Sequence, residues 1–333
     1  MTFIVTRTPY RVSFFGGGTD YPNWYRENGG AVLSTTINKY CYVTVKTYSD
    51  VFDIAFRVIW RHVENVDRIE EILNPPVRGA LKMMRFTDRY KLEIHYQGDL
   101  PSRSGIGSSS AFAVGLIKAL SSALDPDEEL SAHELALKAI ELEQVHLNEI
   151  VGSQDQMAAA HGGLNHFQFL PSGEIVRKPV PVLLDIRNNL ENHLMMFYTG
   201  TQRYASRVAE RVVENMRFKH GHLSEMHSMV DQAVSLLSQG DVRAFGKLLH
   251  EAWLLKRELA TDVTNANIDN LYAKARAAGA YGGKLMGAGK AGFLIFIVPP
   301  DRRDDVKAAL QPLRYVPISL DDSGCSLLCR SGS

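Results

Sequence analysis

The stretch Pro101-Ser102-Arg103-Ser104-Gly105-Ile106-Gly107-Ser108-Ser109-Ser110 decides how this 333-residue chain is read. It follows a strand-like run, Lys91 to Gln97, and precedes a helix-like run, Ala111 to Leu124. At such a junction the first backbone amides of the helix lack intrahelical partners and the dipole adds positive potential, so the spot suits a polyphosphate. No Gly-Lys-Ser/Thr follows the glycines, which removes a Walker A loop, and the third glycine of a Rossmann fingerprint is missing. A Gly/Ser loop that only caps a helix would look the same, so two further motifs carry the argument.

The first is Pro9-Tyr10-Arg11-Val12-Ser13-Phe14-Phe15-Gly16-Gly17-Gly18-Thr19-Asp20-Tyr21-Pro22, a strand that runs into three glycines and an isolated acid. Glycines let a ligand approach the backbone, and Asp20 offers two acceptor oxygens to sugar-like hydroxyls; a tight turn with a solvated Asp is the plainer alternative. The second is Lys284-Leu285-Met286-Gly287-Ala288-Gly289-Lys290-Ala291-Gly292, which contains GxGxxG from Gly287 to Gly292. A strand, Phe293 to Val298, follows it where a dinucleotide motif needs a helix, so the Rossmann reading fails.

In this order the three motifs resemble those of the GHMP kinases, named for galactokinase, homoserine, mevalonate and phosphomevalonate kinases, and the resemblance spans nearly the whole chain. Ser13 to Pro22, Gly29 to Ile37, Gly152-Ser153-Gln154-Asp155-Gln156 and Leu248 to Trp253 are most similar to bacterial D-glycero-D-manno-heptose 7-phosphate kinases. The third motif departs from the family pattern, which has glycine at the place of Ala291 and often of Lys290. The resemblance implies an α+β fold of two halves with the active site in the cleft between them. A boundary near Asp185 is expected from the polar stretch Arg187 to Asn192, giving residues 1–185 and 186–333.

Bulk properties bound the domain count, the partners and the compartment. A chain of this length buries a sizeable core as one large or two intimately packed domains. Its 37 Lys plus Arg balance 37 Asp plus Glu, so no basic surface argues for nucleic acid. Cys41, Cys325 and Cys329 are odd in number and lack paired CxxC spacing, which fits a reducing cytoplasm rather than a disulfide framework or a zinc site. Met1 to Val12 reads as a strand without an apolar leader core, and runs such as Phe293 to Val298 are too short to span a bilayer. The expected protein is cytoplasmic, with no membrane and no nucleic-acid partner; a homodimer is left open.

Alternation marks strands at Tyr40 to Thr47 and Lys91 to Tyr96. Helical periodicity follows in Ala111 to Leu124 and Ala132 to Val151, the latter opened by a Ser131/Glu134 capping box. A second β stretch, Leu164 to Val180 and Leu194 to Thr199, precedes helical segments at Arg203 to Lys219, Leu223 to Ser238 and Val242 to Ala260. Strands return at Phe293 to Val298 and Tyr315 to Leu320, and Arg330 to Ser333 reads as a polar tail.

Phosphoryl transfer needs a metal, donors for the phosphates, and a residue that orients or deprotonates the attacking hydroxyl. The resemblance places ATP on Pro101, Ser104, Gly105, Ile106, Gly107, Ser108, Ser109 and Ser110. It places Mg²⁺ on Ser109 and Glu143, one hydroxyl and one carboxylate being enough for an ion that keeps its waters. Taken alone, Glu143 is not distinguished from Glu141 two residues away; its separation from Asp155, the interval of galactokinase-like members, argues for Glu143, and Glu141 is the fallback. The same match makes Asp155 the base or orienting group and Arg11 a catalytic cation, although an Asp in a first helical turn, here with a Ser153/Gln156 capping box, is stabilised by the dipole in any case. A strand-end salt bridge is the plainer role for Arg11. Gly17, Gly18, Thr19, Asp20, Gly287 and Gly289 are the substrate-binding candidates. Trp60 is a nucleobase candidate, whereas Trp24 and Trp253 read as core or pocket wall. His146, His161 and His166 show no metal-ligand spacing.

The implied activity is ATP-dependent phosphorylation of the anomeric C1 hydroxyl of heptose 7-phosphate to the 1,7-bisphosphate, for nucleotide-activated heptose and surface polysaccharide. A fucokinase-like or galactokinase-like enzyme of an unphosphorylated sugar is the alternative, and a catalytically silent sugar and nucleotide sensor is the alternative from another class. For a distal phosphate the basic candidates are Arg103, Arg203, Lys256 and Arg257, none singled out by spacing.

Overall fold

The computed structural model describes residues 1–331 except Asp50, Pro126, Glu128, residues 201–205 and Ala288. Two sheets organise the chain. The larger is ordered Ser326–Ser331, Phe3–Phe15, Gly30–Thr47, Leu92–Gly98, Phe56–Ile59 and Val63–Val66. Strands Leu320–Asp321 and Asn165–Phe169 also pair with Gly30–Thr47, and Ile175–Pro179 pairs with Asn165–Phe169. Pairing is antiparallel except between Phe56–Ile59 and Leu92–Gly98. The smaller sheet is antiparallel, ordered Arg314–Val316, Leu194–Tyr198, Phe293–Ile297 and Gly282–Leu285.

The helix Ser108–Leu124 is apolar over most of its surface because it is covered on several sides: Ala111, Val114, Leu116, Ile117 and Leu120 are all buried. It lies on strands Phe3–Phe15 and Gly30–Thr47, with helices Ala132–Glu141 and Gln154–His161 against it. Helices His220–Ser238 and Val242–Arg257 pack on each other, and the latter covers strand Gly282–Leu285. Phe245, from this last helix, takes Phe14 and Phe15 edge-on at 5.3 and 5.2 Å. The first motif is thereby fixed between the two sheets by a desolvated aromatic cluster.

Several expectations are corrected by the backbone. The helix expected over Ala132 to Val151 is α-helical only to Glu141; Leu142–His146 is a π-turn, and the chain then folds back through Asn148 at φ 51°. Gln144 explains the reversal, since its Nε2 donates to the Val151 carbonyl and to Ser153 Oγ at 3.0 and 3.1 Å. That same bond removes the Ser153/Gln156 capping box: Ser153 makes no side-chain cap. The Ser131/Glu134 box is formed in both directions. Tyr315 to Leu320 splits into Arg314–Val316 and Leu320–Asp321, and Arg330 and Ser331 belong to a strand rather than a tail. Arg187 to Asn192 lies inside helix Leu184–His193, whose Arg187–Glu191 pair shows why the polarity is helical surface. The helix expected from Arg203 is described from Ser206, as Ser206–Asn215. Among the described residues, no helix is long and apolar enough to cross a membrane and all three cysteines are free.

Candidate active site

The three motifs meet. Strand Phe3–Phe15 delivers Arg11, and the helix Gln154–His161 delivers Asp155 from its first turn. Arg11 binds Asp155 through two parallel bonds, Nε to Oδ1 and Nη2 to Oδ2, both 2.6 Å. Its third donor, Nη1, bonds the Gly105 carbonyl at 2.6 Å, and its backbone amide bonds the Ile106 carbonyl. One guanidinium therefore ties the first motif, the phosphate-loop candidate and the base candidate together. Both the salt-bridge role and the proximity to the loop are present at once.

The loop itself ends in Gly107 at φ 74°, immediately before the helix Ser108–Leu124. A Cβ there would sit 3.2 Å from Arg11 Cγ and 3.3 Å from Asp155 Oδ2. Any side chain would stand on the Arg11–Asp155 pair and in front of the free helix amides. The loop's other members divide. Ser104 and Ser108 bond internally, to the Pro101 carbonyl and from the Arg103 amide, and Ile106 is fully buried. Ser110 is buried with its hydroxyl on Glu143, while Ser109 is exposed at the helix start.

Glu143 owes its inward position to the π-turn, a feature common at functional sites. It is 1 % exposed, whereas the Glu141 side chain is 55 % exposed and faces His146. Glu143 Oε2 accepts from Ser110 Oγ at 2.7 Å and Gln156 Nε2 at 2.5 Å. Oε1 is buried without a partner. Burial pushes its pKa up to about 7 against the Ser110 bond, with the Glu149 charge adding to the rise and the Gln156 bond opposing it. A buried carboxylate with one satisfied and one orphaned oxygen, beside an exposed hydroxyl, fits a hard divalent cation such as Mg²⁺.

Asp20 is buried rather than solvated. Its Oδ1 accepts the Gly18 amide at 2.9 Å and its Oδ2 the Gln154 amide at 3.4 Å, while its carbonyl accepts from Ser153. Burial raises its pKa, the Gly18 bond opposes this, and the nearby Asp155 charge adds to the rise. Thr19 is committed to the turn: its hydroxyl lies within hydrogen-bond distance of the Gly16 and Ala31 carbonyls and accepts from the Ala31 amide. A Cβ on Gly17 would meet Gln154 Nε2 and Ser13 Oγ at ordinary contact distance, 3.6 Å each.

The third motif lies against the second. A Cβ on Gly287 would fall 2.5 Å from Gly105 Cα, so the missing side chains of both residues are accounted for by backbone packing. Gly289 approaches the Val263 backbone in the same way. Lys290 stands at φ 61°, the left-handed region that makes glycine the easier residue where the family often has it. Its ammonium pairs with Asp262.

Two lysines complete the centre. Lys256, one of the four basic candidates, donates to the Gly287 carbonyl at 2.6 Å. Lys284, quoted as the start of the third motif but given no role from sequence, is 5 % exposed and donates to the Phe14 carbonyl at 2.9 Å. Arg257 is engaged by Asp269 at 3.0 Å, Arg103 lies beside the Glu149 charge, and Arg203 lies outside the described residues. Gln156 was likewise missed; its place next to Asp155 in a Gly-x-x-Asp-Gln run was the available signal. Trp60 donates to Glu64 at 2.6 Å and packs edge-on against His62, and Trp24 and Trp253 are buried. Among the described residues no group of three His, Cys, Asp or Glu could hold a metal.

A glycine-ended loop and helix start facing an Arg–Asp pair across a glycine contact is the arrangement that the three motifs bring together. Residues 75–163 match the model of the GHMP kinases N terminal domain and residues 233–316 that of the GHMP kinases C terminal region; the chain belongs to the GHMP kinase family. It is 29 % identical to the D-glycero-alpha-D-manno-heptose 7-phosphate kinase of Campylobacter jejuni, over 93 % of this chain and 94 % of that one. It is 27 % identical to a galactokinase of Pyrococcus furiosus, over 93 % of each chain. Its fold superposes on the crystal structure of a D-glycero-D-manno-heptose 1-phosphate kinase from Bacteroides thetaiotaomicron with a TM-score of 0.80, at 24 % identity over 98 % of this chain and 99 % of that one.

Proposed function

We propose that the chain is an ATP-dependent sugar kinase that phosphorylates the C1 hydroxyl of D-glycero-D-manno-heptose 7-phosphate, giving the 1,7-bisphosphate for nucleotide-activated heptose in the cytoplasm. The observation that carries the kinase reading is the Arg11–Asp155 pair held against Gly105 and Gly107 at a helix start. The choice of heptose rests on full-length likeness to the Campylobacter enzyme. The division near residue 185 belongs to the same proposal, with Leu320–Asp321 and Ser326–Ser331 returning to the sheet of the first half.

In this account Ser109, Gly107 and the amides of the first helical turn hold the nucleotide phosphates. Ser109 and Glu143 would hold Mg²⁺, which when bound neutralises phosphate charge. Asp155 aligns the acceptor hydroxyl and takes its proton late, since a loose transition state asks little basicity of it. Arg11 fixes the Asp155 rotamer and lends its charge to the transferring group. Gly17, Gly18 and Asp20 face the sugar, with the backbone of Gly287 and Gly289 closing the far wall.

A coupled ADP-release assay over heptose 7-phosphate, free heptose, fucose and galactose tests the proposal. Highest kcat/KM for the phosphorylated heptose is expected. Equal or better use of a free sugar would retain the kinase and overturn its substrate, and no turnover on any acceptor would leave the sensor.

A further inference from the structure

Three cations hang from carbonyl oxygens of three different motifs at one place. Arg11 bonds Gly105, Lys256 bonds Gly287 and Lys284 bonds Phe14, and Gly105 and Gly287 are themselves in backbone contact. The facing acids are Asp20 and Asp155. Both oxygens of Asp155 are taken by Arg11, and those of Asp20 by the Gly18 and Gln154 amides. Among the described residues neither lysine is within ion-pair distance of a carboxylate, and each makes a single hydrogen bond. An ammonium carries three donors, so two on each lysine remain unspent, on Lys284 in a buried position and on Lys256 in a half-buried one.

Enclosed cations without a carboxylate partner are costly unless a ligand supplies the charge. We propose that Lys256 and Lys284 form a paired ammonium site for a phosphoryl oxyanion beside Asp155, either the group in transfer or a phosphate carried by the acceptor. Both lysines sit on rigid elements, helix Val242–Arg257 and strand Gly282–Leu285, so the pair is preorganised. The lowered pKa values agree: burial, then Arg11, pushes Lys256 down to about 8, and burial, then Lys256 and Arg11, holds Lys284 well below the usual lysine value. An arriving anion relieves both. This inference rests on the kinase reading and assigns the phosphate contacts that it left open.

The test separates the two. The enzyme is saturated with MgADP, and inorganic phosphate is titrated by calorimetry into the wild type, Lys256→Met and Lys256→Arg. Failure of MgADP to bind would fault the kinase reading alone. With MgADP bound, Lys256→Met is expected to weaken phosphate by about 10- to 100-fold, with most of the affinity restored by Lys256→Arg. Equal phosphate affinity in wild type and Lys256→Met would overturn the anion site. Steady-state kinetics then names the source. A fall in kcat on phosphorylated and free sugars alike marks the group in transfer, whereas a rise in KM confined to the phosphorylated sugar marks the acceptor's own phosphate. Lys284→Met repeats the titration only if its circular dichroism and melting match the wild type.

Discussion

Arg11 and Asp155 lie 144 residues apart and are joined by two bonds of 2.6 Å, with the arginine buried and the aspartate side chain 22 % exposed. The guanidinium is thus a fixed wall, and the carboxylate is the part that a ligand can reach. Such a fork holds a carboxylate in one rotamer, which a lysine ammonium cannot do.

Asp155→Asn keeps the shape and the fold but removes the carboxylate. Turnover is expected to fall by about 10²- to 10⁴-fold while MgATP affinity stays near that of the wild type. Near wild-type kcat would take Asp155 out of the chemistry and leave it as a helix-start acid.

Magnesium dependence distinguishes the two nearby acids. Ser109→Ala and Glu143→Gln are expected to raise the Mg²⁺ concentration needed for half-maximal activity and to weaken Mn²⁺ binding followed by electron paramagnetic resonance, whereas Glu141→Gln changes neither. Should only Glu141→Gln do so, the metal ligand would lie two positions upstream.

Gly107→Val combines strain at φ 74° with a side chain pressed onto Asp155 and Arg11. ATP binding, measured by calorimetry, is expected to weaken at least tenfold, on the order of the loss of one charge-assisted hydrogen bond. Unchanged affinity would move the phosphates away from this loop.

Much of this centre was legible beforehand because glycine runs, a helix start and an isolated acid are local signals. The helix Ser108–Leu124, the long early strands and the Ser131/Glu134 box follow from periodicity and capping alone. What was illegible depends on contacts distant in sequence. Gln144 bends the chain by reaching Val151 and Ser153, and so creates the π-turn that buries Glu143; Gln156 then turns from the expected cap to Glu143. Lys284 looked like the edge of a glycine motif, and only the approach of its strand to Phe14 gives it a place.

The lysine pair also predicts how stability depends on pH. Lys256 has its pKa lowered to about 8 from 10.5, so the unfolded chain binds more protons between those values and stability rises with pH across that window. The charges facing it are Arg11 from the first strand, Asp20 from the glycine turn, Asp155 from the helix Gln154–His161 and Lys284 from strand Gly282–Leu285. Without phosphate, Lys256→Met is therefore expected to melt higher than the wild type at pH 7, with the gap narrowing toward pH 10. A variant that melts lower at pH 7 by an amount independent of pH would show that Lys256 is held as an ordinary packed side chain.

Transfer of a phosphoryl group to an anomeric hydroxyl is read directly by phosphorus NMR of heptose 7-phosphate incubated with MgATP and the enzyme. A second sugar phosphorus resonance, coupled to the anomeric proton, is expected to grow in step with ADP and to be absent with Asp155→Asn. A new phosphate coupled to any other sugar proton, or ATP left intact beside unchanged heptose 7-phosphate, would contradict it.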